Sequence, residues 1–105
     1  MNIKKYTLDF RNIERPSEVH TIIKDCFAFP DYYGRNWSAF WDCMTEIYGP
    51  AIHIEILGLD VLEKKNNNYA SKLIEILKRF KHYVKMFEDS IKIEIVDGDK
   101  RIEII

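Results

Sequence analysis

Three stretches of this chain alternate apolar and polar residues, and segments of helical period lie between them, which leaves few ways to fold. The alternating runs are IKKYTLDF (Ile3 to Phe10), AIHIEIL (Ala51 to Leu57) and IKIEIV (Ile91 to Val96). Alternation marks a strand with one buried face. In the second run Ile52, Ile54 and Ile56 share one face, and His53 and Glu55 share the other. Strands separated by helices tend to run parallel, because the crossover returns the chain to the same end of the sheet. After the third run, DGDK leads into RIEII, and Asp-Gly between alternating segments is the strongest short-range hairpin signal. The expected architecture is α/β, with a small, mostly parallel sheet of three strands plus a C-terminal hairpin strand. Three main helices and one short helix pack on it, in a single domain over residues 1–105.

The helical segments carry their own signals. Ser17 follows Pro16 as an N-cap candidate, and Glu18 sits where the helix dipole favours a carboxylate. Val19, Ile22, Ile23, Cys26 and Phe27 then mark one helical face. A second helix is predicted from a cap at Asn36 to about Tyr48, where Gly49 and Pro50 stop it. LDVLEKK reads as a short helix, and the Asn run at 66–68 as a loop and cap. Tyr69, Leu73, Ile76, Leu77, Phe80, Val84 and Phe87 form the stripe of a long helix. Its outer face is basic: Lys72, Lys78, Arg79, Lys81, His82 and Lys85.

Composition narrows the function classes. A net charge of −1 gives no global attraction to nucleic acid or an anionic membrane. The N-terminal MNIKKYTLDF lacks the apolar core of a signal peptide, and no run reaches transmembrane length, so a cytoplasmic location is expected. Cys26 and Cys43 form no CxxC pair and read as small buried hydrophobes. His20, His53 and His82 are scattered without ligand spacing, so no metal or cofactor is expected.

The stretch FPDYYGRNWSAFWDC, Phe29 to Cys43, concentrates six aromatic residues, including both tryptophans. Stepping about 100° per residue from Trp37 places Trp37, Phe40, Met44, Ile47 and Tyr48 on one stripe, with Trp41 at its border. The opposite side carries Arg35, Ser38, Ala39, Asp42, Thr45 and Glu46, with Ser38, Asp42 and Glu46 spaced by four. Phe40 and Trp37 therefore read as core. Tyr32 and Tyr33 lie on a Pro/Gly-bounded loop. There they either fold back over the helix end or join Trp41, Gly34, Ser38 and Ala39 in a binding surface.

The same residues resemble the central motif of the barstar family, intracellular inhibitors of secreted microbial ribonucleases. That motif is a Pro-acidic-Tyr-Tyr-Gly-x-Asn loop leading into a helix that ends Leu-Trp-Asp-Cys-Leu-Thr. This chain supplies Pro30, Asp31, Tyr32, Tyr33, Gly34 and Asn36, then Trp41, Asp42, Cys43 and Thr45, at matching spacing. The resemblance implies a barstar-like fold and a protein that plugs a ribonuclease active site. It implies that Asp42 imitates a substrate phosphate for the enzyme's cations and that Tyr32 packs on its catalytic side chains. Trp41, Ala39, Gly34, Asn36 and Thr45 match further contact positions, and Tyr33, Ser38 and Glu46 lie on the same segment. The implied partner is a cognate ribonuclease or related toxin, bound by a protein that is monomeric when free and touches neither membrane nor nucleic acid directly.

Departures from the best-known member bear on the target. Ser38 stands where that inhibitor has a second Asp, Ile47 stands for an aromatic, and Arg79 or its neighbours replace an acidic contact on the long helix. Near-neutrality in place of strong acidity implies weaker electrostatic steering toward a basic enzyme. Glu46 is a candidate source of some of the missing negative charge. Three other readings stand beside inhibition: a barstar-like interaction module that binds a different toxin or protein partner, an enzyme, and an RNA-binding module. An enzyme would need Ser38, Cys43 and His53 to converge, although no nucleophile elbow surrounds the serine. An RNA-binding module would use the basic helix at 72–85, which equally fits a solvated face.

Overall fold

The computed structural model describes residues 3–47, 51–87 and 90–105. In chain order the elements are β1 (Lys4–Asp9), a single 3-10 turn (Pro16–Glu18), α1 (Val19–Phe27), α2 (Trp37–Met44) and β2 (Ala51–Leu57). Then follow α3 (Leu59–Lys65), α4 (Asn67–Lys85), β3 (Ser90–Asp97) and β4 (Lys100–Glu103). The sheet order is β1-β2-β3-β4, parallel across the first three strands and antiparallel between β3 and β4. This is the mostly parallel, barstar-like α/β arrangement expected from the sequence, hairpin strand included. Among the described residues no helix is long and apolar enough to cross a membrane.

Because the parallel strands follow chain order, crossovers of one hand put every helix on the same face. The register sorts side chains accordingly. Tyr6, Ile54 and Ile93 align across the three strands, as do Leu8, Ile56 and Ile95. With Phe10 and Ile52 they meet Val19, Ile23 and Phe27 of α1, Phe40 and Met44 of α2, and Leu73, Leu77 and Phe80 of α4 in one core. The short axis of the molecule, 20 Å against 36 Å for the other two, holds one sheet and one helical layer. Gly58, at φ 73, fixes the β2–α3 corner, since a Cβ there would lie 2.6 Å from the Arg11 backbone nitrogen.

The other face of the sheet is polar and uncovered by helices. Thr7, Glu55 and Glu94 align across the strands, one residue row away from Lys5, His53 and Lys92. Two carboxylates on neighbouring strands would repel. Here Arg101 bridges them, at 3.0 Å from Glu55 and 3.3 Å from Glu94. Lys5 pairs with Glu55, His53 lies 2.7 Å from Glu94, and Lys92 lies 3.6 Å from Glu94. These partners lie across the carboxylates, which are only 6% and 5% exposed.

Several local expectations change. Ser17 is not the cap of α1: the chain enters through the 3-10 turn, where Glu18 Oε1 accepts from the Arg15 backbone amide at 3.3 Å. α2 ends at Met44 because the next turn tightens, with Glu46 and Ile47 amides bonded to the Cys43 and Met44 carbonyls. The predicted extension to Tyr48, and the Gly49-Pro50 stop, lie outside the described residues. Asn66 caps α4 by accepting from the Tyr69 amide at 3.1 Å, so the helix already includes the other two asparagines. Phe87 leaves the α4 stripe and is 61% exposed. Lys81, expected on the basic face, is buried because β4 lies beside it. Its Nζ donates to the Ile104 carbonyl at 2.6 Å and approaches Glu103 at 3.5 Å.

Hydrogen bonds and neighbouring cations hold the Glu55 and Glu94 carboxyls below their ordinary value of 4.5. Their contribution to stability is therefore complete above that value and disappears as pH falls through the lower folded-state values. Acid titration by circular dichroism should show this loss below about pH 4.5, and the Glu55→Gln, Glu94→Gln double variant should show a shallower acid slope. Phe40→Ala, which empties the centre of the helical layer, should lower unfolding free energy by about 3–5 kcal/mol in urea titration.

Candidate functional site

The loop between α1 and α2 is held from inside. α1 ends with Ala28 in the left-handed region (φ 54), and the Phe29 amide returns to the Lys24 carbonyl. A turn then closes where the Tyr33 amide donates to the Pro30 carbonyl at 3.0 Å. Asp31 and Tyr32 occupy the tip of that turn, while Phe29 and Tyr33 at its base are buried. Lys24 pairs with Asp31 at 3.0 Å and steadies the tip from α1.

The tyrosine pair is thus divided. Tyr32 is 77% exposed, whereas Tyr33 is 5% exposed and its hydroxyl lies 2.7 Å from His20 Nδ1. Expected among the partner-binding residues, Tyr33 is withdrawn from the surface, because turn geometry sends consecutive side chains in opposite directions. Sequence reading missed His20. It lies one position off the apolar stripe of α1, next to Phe27 at about 100° per residue, and that placement was the available signal. Its ring also packs against Trp37, with centroids 4.7 Å apart. Burial, with a smaller contribution from the positive Arg35, pushes the His20 pKa down, and burial pushes the Tyr33 hydroxyl up. In this neutral pair one group donates and the other accepts, the direction being set by the imidazole tautomer.

Arg35, at φ 51, carries the chain into α2 and donates to Thr21 Oγ1 at 2.7 Å. Asn36 caps the helix: Oδ1 accepts from the Ala39 amide at 2.8 Å and Nδ2 donates to the Gly34 carbonyl at 3.1 Å. Gly34 is exposed but tightly placed, since a Cβ there would stand 3.2 Å from Asn36 Nδ2 and 3.4 Å from the Ala39 Cβ. Ser38, Asp42 and Glu46 are exposed. Ala39, Trp41 and Thr45 are half-buried, and Thr45 Oγ1 donates to the Asp42 carbonyl at 2.8 Å. Glu46 sits past the helix end in the tightened turn rather than on a third helical turn. Burial and the negative charges of Glu46 and Asp42 push the Cys43 thiol up, while burial takes Cys26 to about 12, so neither thiol is activated.

Two edge-on contacts seat α2 on α4: Trp37 against Tyr69 at 5.6 Å and Trp41 against Tyr83 at 5.7 Å. Between the helices runs a groove of about 360 Å³ that takes in Trp37, Ser38, Trp41 and Asp42 from α2 and Lys72, Glu75, Ile76 and Arg79 from α4. The Arg79 guanidinium lies over the Trp41 ring, 4.1 Å from its centroid. Neither Asp42 nor Glu46 has an ion-pair partner among the described residues. Ser38 and Cys43 do not meet His53, which is committed to Glu94 on the far side of the sheet. The 30–34 turn and α2 thus carry a carboxylate without an ion pair among the described residues, an exposed Tyr32 and a half-buried indole.

The family model described as Barstar (barnase inhibitor) matches residues 3–96. A protein of Bacillus subtilis (strain 168), "Putative ribonuclease inhibitor YrdF", is 30% identical over 93 residues, which is 89% of this chain and 99% of that protein. Strand β4 lies beyond the matched segment.

Tyr33→Phe leaves buried His20 without its partner and should cost about 1–3 kcal/mol of stability by denaturant titration. Tyr32→Ala should leave stability within about 0.5 kcal/mol of wild type. Since the folded state disfavours protonated His20, its influence should appear as stability that falls when pH drops below the ordinary histidine value of 6.5. His20→Gln should remove that step from the thermal-melting profile.

Proposed function

The chain belongs to the barstar family, and from that premise we propose that it inhibits a ribonuclease by occupying the enzyme's active site with the 30–34 turn and α2. The observation that carries this reading is Asp42, exposed on α2 and without a cation of its own among the described residues. A ribonuclease binds phosphate through arginine, lysine and histidine. A carboxylate fixed on a helix can take the place of that phosphate in charge-assisted hydrogen bonds. Because Asp42 is unpaired before binding, no internal salt bridge has to break.

The other residues have distinct parts in this reading. Tyr32, held out by the turn, supplies aromatic contact at the catalytic side chains. Trp41 supplies apolar area beside the carboxylate. Gly34, Ser38, Ala39, Thr45 and Glu46 complete the contact surface, and Asn36 holds its entry rigid through the cap. Tyr33 acts from beneath, fixing the turn without touching the partner. The protein would act inside its own cell as an immunity factor against a ribonuclease or related toxin encoded alongside. With a net charge of −1, its association should depend only shallowly on salt.

Inhibition titration against the ribonuclease encoded alongside tests this reading. Asp42→Ala should weaken inhibition by about 30-fold or more, corresponding to at least about 2 kcal/mol at an interface hot spot. Melting temperature should be unchanged. Equal inhibition by variant and wild type would show that the active-site plug lies elsewhere.

A further inference from the structure

We propose that Arg79, held over the Trp41 ring, is a carboxylate receptor within the target-binding surface and selects which ribonuclease the chain accepts. This deepens the inhibitor reading and rests on it. The guanidinium carbon is 4.1 Å from the indole centroid, within the range of a cation–π pair. The indole is itself braced from α4 by Tyr83, 5.7 Å away at an interplanar angle of 76°. This contact engages the guanidinium through the ring and leaves its N–H groups without a carboxylate among the described residues. A guanidinium matches a carboxylate in the two-pronged way a lysine cannot.

The groove's charges point the same way. Arg79 is exposed and no carboxylate among the described residues pairs with it. Asp42 lines the same groove and does not neutralise it, and Ser38, also in the groove, carries no charge. Lys72 adds a second cation, which approaches Glu75, also in the groove, at 3.9 Å on the exposed face of α4. The groove thus holds an acid and a base, Asp42 and Arg79, neither of them ion-paired among the described residues, together with Trp41. A complementary enzyme places a cation opposite Asp42 and an Asp or Glu opposite Arg79. An enzyme with a cation at the second position meets Arg79 as a like charge and is rejected.

The test compares Asp42→Ala, Arg79→Met and Arg79→Glu by inhibition titration against the ribonuclease encoded alongside. Methionine keeps an apolar chain over the indole without the charge. The expected result is about tenfold weaker inhibition for Arg79→Met and about 100-fold or more for Arg79→Glu, with Arg79→Glu restored toward wild type by an acid-to-lysine change on the enzyme. If both Arg79 variants inhibit like wild type while Asp42→Ala fails, the receptor assignment is overturned and the inhibitor reading stands. If Asp42→Ala also inhibits like wild type, the surface itself is misassigned. Thermal melts separate folding from binding: loss of inhibition in Arg79→Glu that tracks a lowered melting temperature, with Arg79→Met unimpaired, also overturns the proposal.

Discussion

A single buried hydrogen bond, Tyr33 hydroxyl to His20 Nδ1, decides how the functional half of this protein is arranged. Both groups lie almost wholly inside, where an unmatched hydroxyl or imidazole would be strongly unfavourable. Each is tolerated because the other is present. The bond ties the α1–α2 loop to the middle of α1, and its geometry forces the adjacent Tyr32 outward. His20 also touches Trp37, so the same residue sets where α2 begins. The 30–34 turn and the start of α2 are thereby tied to α1.

α2 itself is eight residues long, too short to be helical in isolation. Its stability comes from elsewhere: the Asn36 cap at one end, Phe40 and Met44 pressed into the core, and two tryptophans propped edge-on by tyrosines of α4. Tyr69 and Tyr83 are fourteen positions apart, about four turns of helix. Contact at both keeps α2 from pivoting on α4. The exposed row on α2 can then be almost entirely polar without loss of order, since none of the packing depends on it.

The framework was readable because the periods of two and 3.6 are imposed by backbone geometry, and each element of this chain obeys them. Ile52, Ile54 and Ile56 could face only one way once His53 and Glu55 faced the other. The Asp-Gly turn likewise announced β4. Lys81 shows where such reading stops: its place on α4 marks it as solvent-facing, but a carbonyl twenty-three residues later captures its ammonium. Phe87 fails in the opposite direction, continuing the stripe past the point where α4 still has a neighbour. At the site, the family motif brought out Asp42, Tyr32 and Trp41, while alternation within the loop did not say which tyrosine would be buried. The Arg79–Trp41 contact joins residues thirty-eight positions apart, and no local pattern connects them.

The bare side of the sheet has a consequence for how this molecule meets others. Glu55 and Glu94 are already enclosed by Arg101, Lys5, His53 and Lys92, so every charge in that lattice is spoken for. A protein docking there would strip water from the outer cations and gain no unsatisfied group in return. The helical side offers Asp42 and Arg79, neither with an ion-pair partner among the described residues, in a groove that also holds Trp41. Hydration alone thus gives the molecule two unlike sides, one whose charges are matched internally and one whose charges are left to solvent.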